Sequence, residues 1–334
     1  MIEPVYSARE DRYDGMPYER CGRSGVLLSR LSLGMWHNFG ATTPLQTGRE
    51  IMRYAFDHGI TSFDLANNYG PPYGTAEESF GQIFARDFRP YRDEMFISTK
   101  AGYDMWPGPY GNWGSRKYLM ASLDQSLRRM GLDYVDVFYS HRYDPSTPLD
   151  ETLRALVDIV RSGKALYAAI SRWPKEAEEY AFRYLDEHEC HCLLYQDRIN
   201  ILDRATATEG RLPTAAAAGV GYIAFSPLAQ GLLTGKYLSG TVPAGSRMSL
   251  EHFLHSDVLT PQRLTSLREL NAIAEGRGQT LAQMATSWVL AQPGVTSAIV
   301  GCSSAAQLAD TIRCTEHLEF TSDEFAAIDR AAGV

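Results

Sequence analysis

Positive charge is scarce in this 334-residue chain: 32 Lys and Arg stand against 40 Asp and Glu, a formal net charge of −8. No long Lys/Arg run offsets that balance, so the basic face that a nucleic-acid partner demands is missing and that partner class is set aside. Long apolar runs are missing too. The nearest, Ala215 to Phe225, is short and broken by Gly219 and Gly221, which leaves no membrane span. Met1-Ile2-Glu3-Pro4-Val5-Tyr6 lacks the basic and apolar regions of a signal peptide. Cysteines are few, odd in number and scattered: Cys21, Cys190, Cys192, Cys302 and Cys314. They suggest no disulfide framework, and a cytoplasmic location is the expectation. His188, Cys190, His191 and Cys192 are dense, but adjacent strand residues point to opposite faces and do not converge on one ion, so no metal is expected.

With 44% hydrophobic and 22% charged residues, the composition is that of a globular protein, long enough for one large α/β barrel or two smaller domains. Short apolar runs recur at Leu31–Met35, Thr61–Leu65, Met95–Thr99, Val135–Ser140, Ala165–Ile170, Cys192–Tyr195, Gly221–Phe225 and Ser297–Val300. Helix-like segments lie between most of them. Thr47-x-x-Glu50, Thr75-x-x-Glu78, Thr280-x-x-Gln283, Ser304-x-x-Gln307 and Thr321-x-x-Glu324 all fit the capping box. Pro174 suits the first turn of another helix. Ser115–Met130 carries Leu119, Leu123 and Leu127 on one helical face.

Strands alternating with helices argue for a parallel sheet, and the first seven strand starts are spaced by roughly 30–40 residues, the length of one βα unit. A doubly wound fold would prefer Gly-x-Gly-x-x-Gly after the first strand, and Gly34-Met35-Trp36-His37-Asn38-Phe39-Gly40 does not fit. The expected architecture is a single (β/α)8 TIM barrel over residues 1–334. It has an N-terminal hairpin from Tyr18 to Ser29 and a long loop, Thr234 to Pro261, near its C-terminal end.

The residues leaving the strands are Trp36, Asp64, Lys100, His141, Ser171, Gln196, Ser226 and Gly301. In this fold the C-terminal strand ends hold the active site. Singly, each has a structural explanation; jointly, on one rim, they are better read as chemistry. A phenol is a weak acid with a pKa near 10, and a nearby ammonium favours its phenolate. Lys100 is expected to be that ammonium for Tyr69, and Asp64 to hold Lys100 charged. Tyr69 then serves as a general acid towards an oxygen gaining negative charge, with His141 orienting it. This is machinery for carbonyl reduction.

These residues sit in motifs that resemble a known family. Phe63-Asp64-Leu65-Ala66-Asn67-Asn68-Tyr69-Gly70, Ile97-Ser98-Thr99-Lys100-Ala101-Gly102-Tyr103 and Asp136-Val137-Phe138-Tyr139-Ser140-His141-Arg142 are joined by Gln125-Ser126-Leu127-Arg128-Arg129-Met130-Gly131 and Gly231-Leu232-Leu233-Thr234-Gly235-Lys236-Tyr237. Together they resemble the aldo-keto reductases over nearly the whole chain, in the branch of the bacterial L-glyceraldehyde 3-phosphate reductases near the potassium-channel β-subunits. The resemblance implies a tetrad of Asp64, Tyr69, Lys100 and His141, and NADP(H) bound extended across the barrel mouth. It implies carboxamide contacts from Ser171 and Gln196, with Arg172 where many relatives have Asn, and Phe225 stacked on the nicotinamide ring. Trp36 belongs to both the cofactor and substrate surfaces. Ser226, Leu228, Gly231 and Lys236 match the pyrophosphate segment, and Arg247 the clamp on the 2′-phosphate. Ser303 and Gln307 match further contacts beside Gly301, and Asp310-Thr311 stands where relatives often show Glu-Asn.

Trp36, Asn38, Tyr103, Trp106, Arg142 and Tyr143 are the expected substrate pocket, for a small aldehyde such as glyceraldehyde 3-phosphate or methylglyoxal. Self-association is left open. Two rival functions stand beside the reductase: a Schiff-base lyase using Lys100, and a redox-sensing subunit that holds NADPH and turns over slowly.

Overall fold

The computed structural model describes residues 5–243, 246, 248–250 and 254–333. An antiparallel hairpin of β1 (Tyr18–Arg20) and β2 (Leu27–Ser29) precedes the barrel strands. These are β3 (Leu31–Gly34), β4 (Ser62–Asp64), β5 (Phe96–Ala101), β6 (Val135–Ser140), β7 (Ala165–Ser171), β8 (Cys192–Arg198), β9 (Gly221–Phe225) and β10 (Val295–Val300). Each pairs in parallel with the next, and β10 closes onto β3. Helices α1 (Leu45–Asp57), α2 (Thr75–Ile83), α3 (Arg116–Met130), α4 (Leu149–Arg161), α5 (Lys175–Glu187), α6 (Ala205–Thr208) and α7 (Arg211–Ala217) follow the first strands. Helices α8 (Pro261–Gly276) and α9 (Leu281–Leu290) fill the long interval before β10, and α10 (Ala305–Ile312) and α11 (Ser322–Ala332) follow it. The (β/α)8 barrel with its N-terminal hairpin is therefore as expected. No helix among the described residues is long and apolar enough to cross a membrane.

Two apolar cores hold it together. The larger lies between strands and helices and includes Phe63, Phe138, Leu119, Leu123 and Leu127. The smaller is inside the barrel, where Val137, Tyr139, Ala169, Leu194 and Ile223 meet Cys21 and Leu28 of the hairpin. The hairpin thus plugs the end opposite the strand C-termini. Gly22 is obligatory in that plug: its φ is +52°, and a Cβ there would fall 1.9 Å from the Gly219 carbonyl oxygen.

Strand side chains alternate between faces, so the interior core sets the parity of everything above it. Val137 and Tyr139 point inward, and two residues on is His141. Likewise Ser98 precedes Lys100, Ser62 precedes Asp64, Ala169 precedes Ser171 and Leu194 precedes Gln196. Strands β5, β7 and β8 extend further than their apolar runs, so Lys100, Ser171 and Gln196 lie within the sheet rather than past it.

Helix starts follow the sequence in part. Thr280 with Gln283 and Thr321 with Glu324 form complete capping boxes. Ser115 caps α3, accepting from the Tyr118 amide. Ser304 caps α10, but the Gln307 side chain turns to Ser303 instead. Three further readings are corrected. Thr47 lies inside α1, which begins two residues earlier behind Pro44. Thr75 is the first residue of α2 behind Gly74, and its hydroxyl donates to the Pro72 carbonyl. In both cases the preceding Pro or Gly starts the helix first. Pro174 stands one residue before the first turn of α5.

Candidate active site

At the C-terminal mouth, β4 and β5 place Asp64 and Lys100 side by side, and both are buried. Lys100 Nζ donates to Asp64 Oδ2 at 2.6 Å, to the Leu65 carbonyl at 2.7 Å and to the Tyr69 hydroxyl at 3.3 Å. An ammonium has three protons, and all three are directed. The other carboxylate oxygen, Asp64 Oδ1, accepts from Ser98 Oγ and from Gln196 Nε2, each at 3.0 Å. Side chains from three strands, β4, β5 and β8, therefore meet at one carboxylate. Burial pulls the Lys100 pKa down from its usual value, and Asp64 opposes that pull. Removing either partner would leave a lone buried charge.

Tyr69 sits in the loop after β4, half-buried, its amide bonded to the Ala66 carbonyl at 3.0 Å. Its phenol is not acidified, contrary to the sequence reading. Burial raises its pKa well above 10, and Asp64 and Tyr103 add to the rise. The reason is that the Lys100 charge is balanced by Asp64, so the phenol sees a neutral pair and a poorly solvating wall. The hydroxyl is held protonated. The His141 ring lies edge-on to Tyr69, with centroids 5.8 Å apart, and edge-on to Tyr103 at 4.7 Å. Burial, then Lys100, Arg172 and Arg142, push the His141 pKa well below 6.5. The imidazole is thus neutral at pH 7, and its buried Nδ1 has no hydrogen-bond partner among the described residues.

The other expected residues divide between the mouth and its supports. Trp36 follows β3, its ring 6.3 Å from Tyr69. Ser171 is buried at the end of β7. Phe225 ends β9 and Ser226 and Leu228 follow it, all three half-buried; Ser226 adopts φ +55° and its carbonyl accepts from Asn200. Lys236 and Gly301 are exposed. Arg247 lies outside the described residues. Asn38 spends its amide on the Cys302 carbonyl at 2.7 Å, tying the first barrel loop to the last. Asp310 is exposed, and its Oδ1 and carbonyl both accept from Gln283. The Thr311 hydroxyl donates back to the Gln307 carbonyl. Trp106 packs on Tyr118, and Tyr143 on Trp173.

Ser98 was missed in the sequence, although its position two before Lys100 was enough to place it on the inner face. Asn67 and Asp144 were missed for lack of any such signal. Asn67 Nδ2 donates to the Tyr118 hydroxyl at 3.0 Å, and Asp144 Oδ2 accepts from the Gly114 amide at 2.9 Å. Both fasten loops around the mouth. Beside it, Tyr73, Met105, Trp106, Pro109 and Trp113 line a cleft of about 610 Å³.

The rim suits a phosphate-bearing group. At Gly231 and Gly301, chain neighbours aside, no atom of the described residues lies within 4 Å of where a Cβ would sit, so the backbone is open to close approach. Exposed Lys236 and the start of α10 supply positive charge.

Residues 30–332 match the model of the aldo/keto reductase family. The chain is 54% identical to an L-glyceraldehyde 3-phosphate reductase of Escherichia coli (strain K12), over 98% of this chain and 95% of that protein. It is 35% identical to a probable voltage-gated potassium channel subunit beta of Arabidopsis thaliana, over 90% of this chain and 92% of that protein.

Proposed function

The chain belongs to the aldo/keto reductase family and is an oxidoreductase, and from that premise we propose that it reduces a small aldehyde to the alcohol with NADPH. Glyceraldehyde 3-phosphate is the first candidate, on the name of the Escherichia coli relative. One observation carries the reading: the Asp64–Lys100–Tyr69 chain of hydrogen bonds beside the neutral His141.

Ser171, Gln196, Phe225, Ser226, Leu228, Gly231, Lys236, Ser303 and Gln307 would hold the cofactor, which when bound supplies the hydride. As the carbonyl carbon accepts it, negative charge grows on the oxygen. Tyr69, fully protonated in the free site, gives its proton to that oxygen, which becomes the alcohol. Charge left on the phenolate is met by the Lys100 ammonium, already within hydrogen-bond distance. Asp64 keeps Lys100 in place, and Ser98 and Gln196 keep Asp64 in place. His141 donates its single N–H to the same oxygen and fixes the direction of the carbonyl.

The Schiff-base alternative fits less well. A nucleophilic amine must be neutral and free, and Lys100 has all three protons engaged, one of them against a carboxylate at 2.6 Å. A slow cofactor-holding subunit is separated by turnover. NADPH absorbance is followed with glyceraldehyde 3-phosphate, glyceraldehyde and methylglyoxal, wild type beside Tyr69→Phe. Reduction that falls by at least about 100-fold in the variant, the range of general acid catalysis, supports the proposal. Undiminished activity in Tyr69→Phe, or no reduction of any aldehyde by the wild type, overturns it.

A further inference from the structure

We infer that Tyr139 is a positioning residue: its ring is the floor beneath the Lys100 ammonium and keeps that charge aimed at Tyr69. The inference rests on the reductase reading above and adds a side chain to its machinery. Strands β5 and β6 pair in parallel with Lys100 opposite Tyr139. Tyr139 points into the barrel, has no exposed surface and belongs to the inner core with Val137 and Leu194. Lys100 Nζ stands 5.6 Å from the centroid of the Tyr139 ring and 4.8 Å from that of Tyr69. The ammonium is thus held between two phenol rings, one from the mouth and one from the barrel interior.

The three protons of Lys100 go to Asp64, the Leu65 carbonyl and Tyr69. Burial still pulls its pKa down, and Asp64 and then Glu77 oppose the pull. The face of an aromatic ring is electrostatically negative and attracts a cation within about 6 Å of its centroid, most strongly where water is absent. That attraction needs no proton, so Tyr139 acts on an ammonium whose protons are already spent. A hydrogen bond is not what Tyr139 offers: its buried hydroxyl has no hydrogen-bond partner among the described residues. Nor is it a second acid. Burial, then Asp64, Cys21 and Cys192, holds its phenol well above 10, so the ring stays uncharged. Of the titratable groups acting on or felt by Lys100, Asp64 comes from β4, Tyr69 from the loop after it and Glu77 from α2. Tyr139 and His141 come from β6 and the residue that follows it.

The decisive variants are Tyr139→Phe, which keeps the ring face, and pentafluorophenylalanine at the same position, which keeps the shape and reverses the sign of the face. Val137→Ala, two residues earlier in the same inner core, controls for loosened packing. As pH rises Lys100 loses its proton before Tyr69, because burial lowers the one pKa and raises the other. The base limb of kcat/KM therefore reports Lys100, and a weaker hold on its charged form moves that limb to lower pH. Tyr139→Phe and Val137→Ala are expected to keep the limb in place. The fluorinated variant should lower it by about half to one pH unit, the worth of a cation–π contact. Its kcat should fall about 2- to 10-fold, with KM and NADPH affinity little changed. Carbon-13 NMR titration of labelled lysine, with the Lys100 signal identified by its loss in Lys100→Met, reads the same shift without turnover. A fluorinated variant that matches Tyr139→Phe overturns the inference and leaves the ring as packing. So does the full shift in Tyr139→Phe, which assigns the effect to the hydroxyl, or an equal shift in Val137→Ala. A protein that reduces no aldehyde yet shows the NMR shift sinks the reductase reading alone.

Discussion

Glu178 offers a sharp test of how burial governs this protein. It lies on α5 with no exposed surface, and neither carboxylate oxygen has a hydrogen-bond partner among the described residues. The obvious cation, Arg211, is occupied: its Nε donates to Asp197 at 2.9 Å and its Nη1 pairs with Glu209. Lys175 pairs with Glu179 at 2.9 Å. Burial pushes the Glu178 pKa up from 4.5 to about 9, against the pull of Arg211 and with added repulsion from Asp197. Folded, the residue is neutral at pH 7; unfolded, it ionises near 4.5. The folded state therefore binds a proton that the unfolded state releases. The stabilisation is fully present below pH 4.5 and is lost as pH rises towards 9, by about 1.4 kcal/mol per pH unit. At pH 7 the loss is on the order of 3 kcal/mol. Glu178→Gln keeps the shape and cannot ionise, so it escapes the loss. Urea unfolding of both proteins, followed by tryptophan fluorescence at pH 5 and pH 8, isolates the effect, because all other titrations cancel in the difference. The stability advantage of the Gln variant should widen by about 4 kcal/mol between the two pH values. An advantage that does not change with pH would refute the reasoning and mean that Glu178 is ionised in the folded protein.

Two further outcomes follow from the mouth of the barrel. Asp64→Ala strands the buried Lys100 ammonium and should destabilise the fold by about 3–5 kcal/mol, with much of this recovered in Asp64→Ala/Lys100→Met. A double variant no more stable than the single one in urea would contradict the ion-pair account. The depressed His141 pKa places the acid limb of kcat/KM below pH 6.5, since protonation there removes the neutral imidazole. Arg172→Ala, which takes away one of the repelling charges, should move that limb upward; a limb already above pH 6.5 in the wild type would count against a neutral His141.

Period and punctuation in the sequence were enough for the barrel. Eight apolar runs with helical spacers admit few closures, and Asp64, Lys100, His141, Ser171 and Gln196 share a rim because every parallel strand ends on the same side. Even Ser98 was within reach of the two-residue alternation. What the sequence could not carry was the balance of fields among groups distant along the chain. Tyr69 appeared acidified because Lys100 was counted alone; only the folded structure places Asp64 2.6 Å from that lysine and makes the pair neutral. Asn38, a pocket residue by position, became a tie to Cys302 because two loops 264 residues apart meet there. Local periodicity decides which face a side chain takes. Burial and three-dimensional pairing decide which of its charges and hydrogen bonds remain to act.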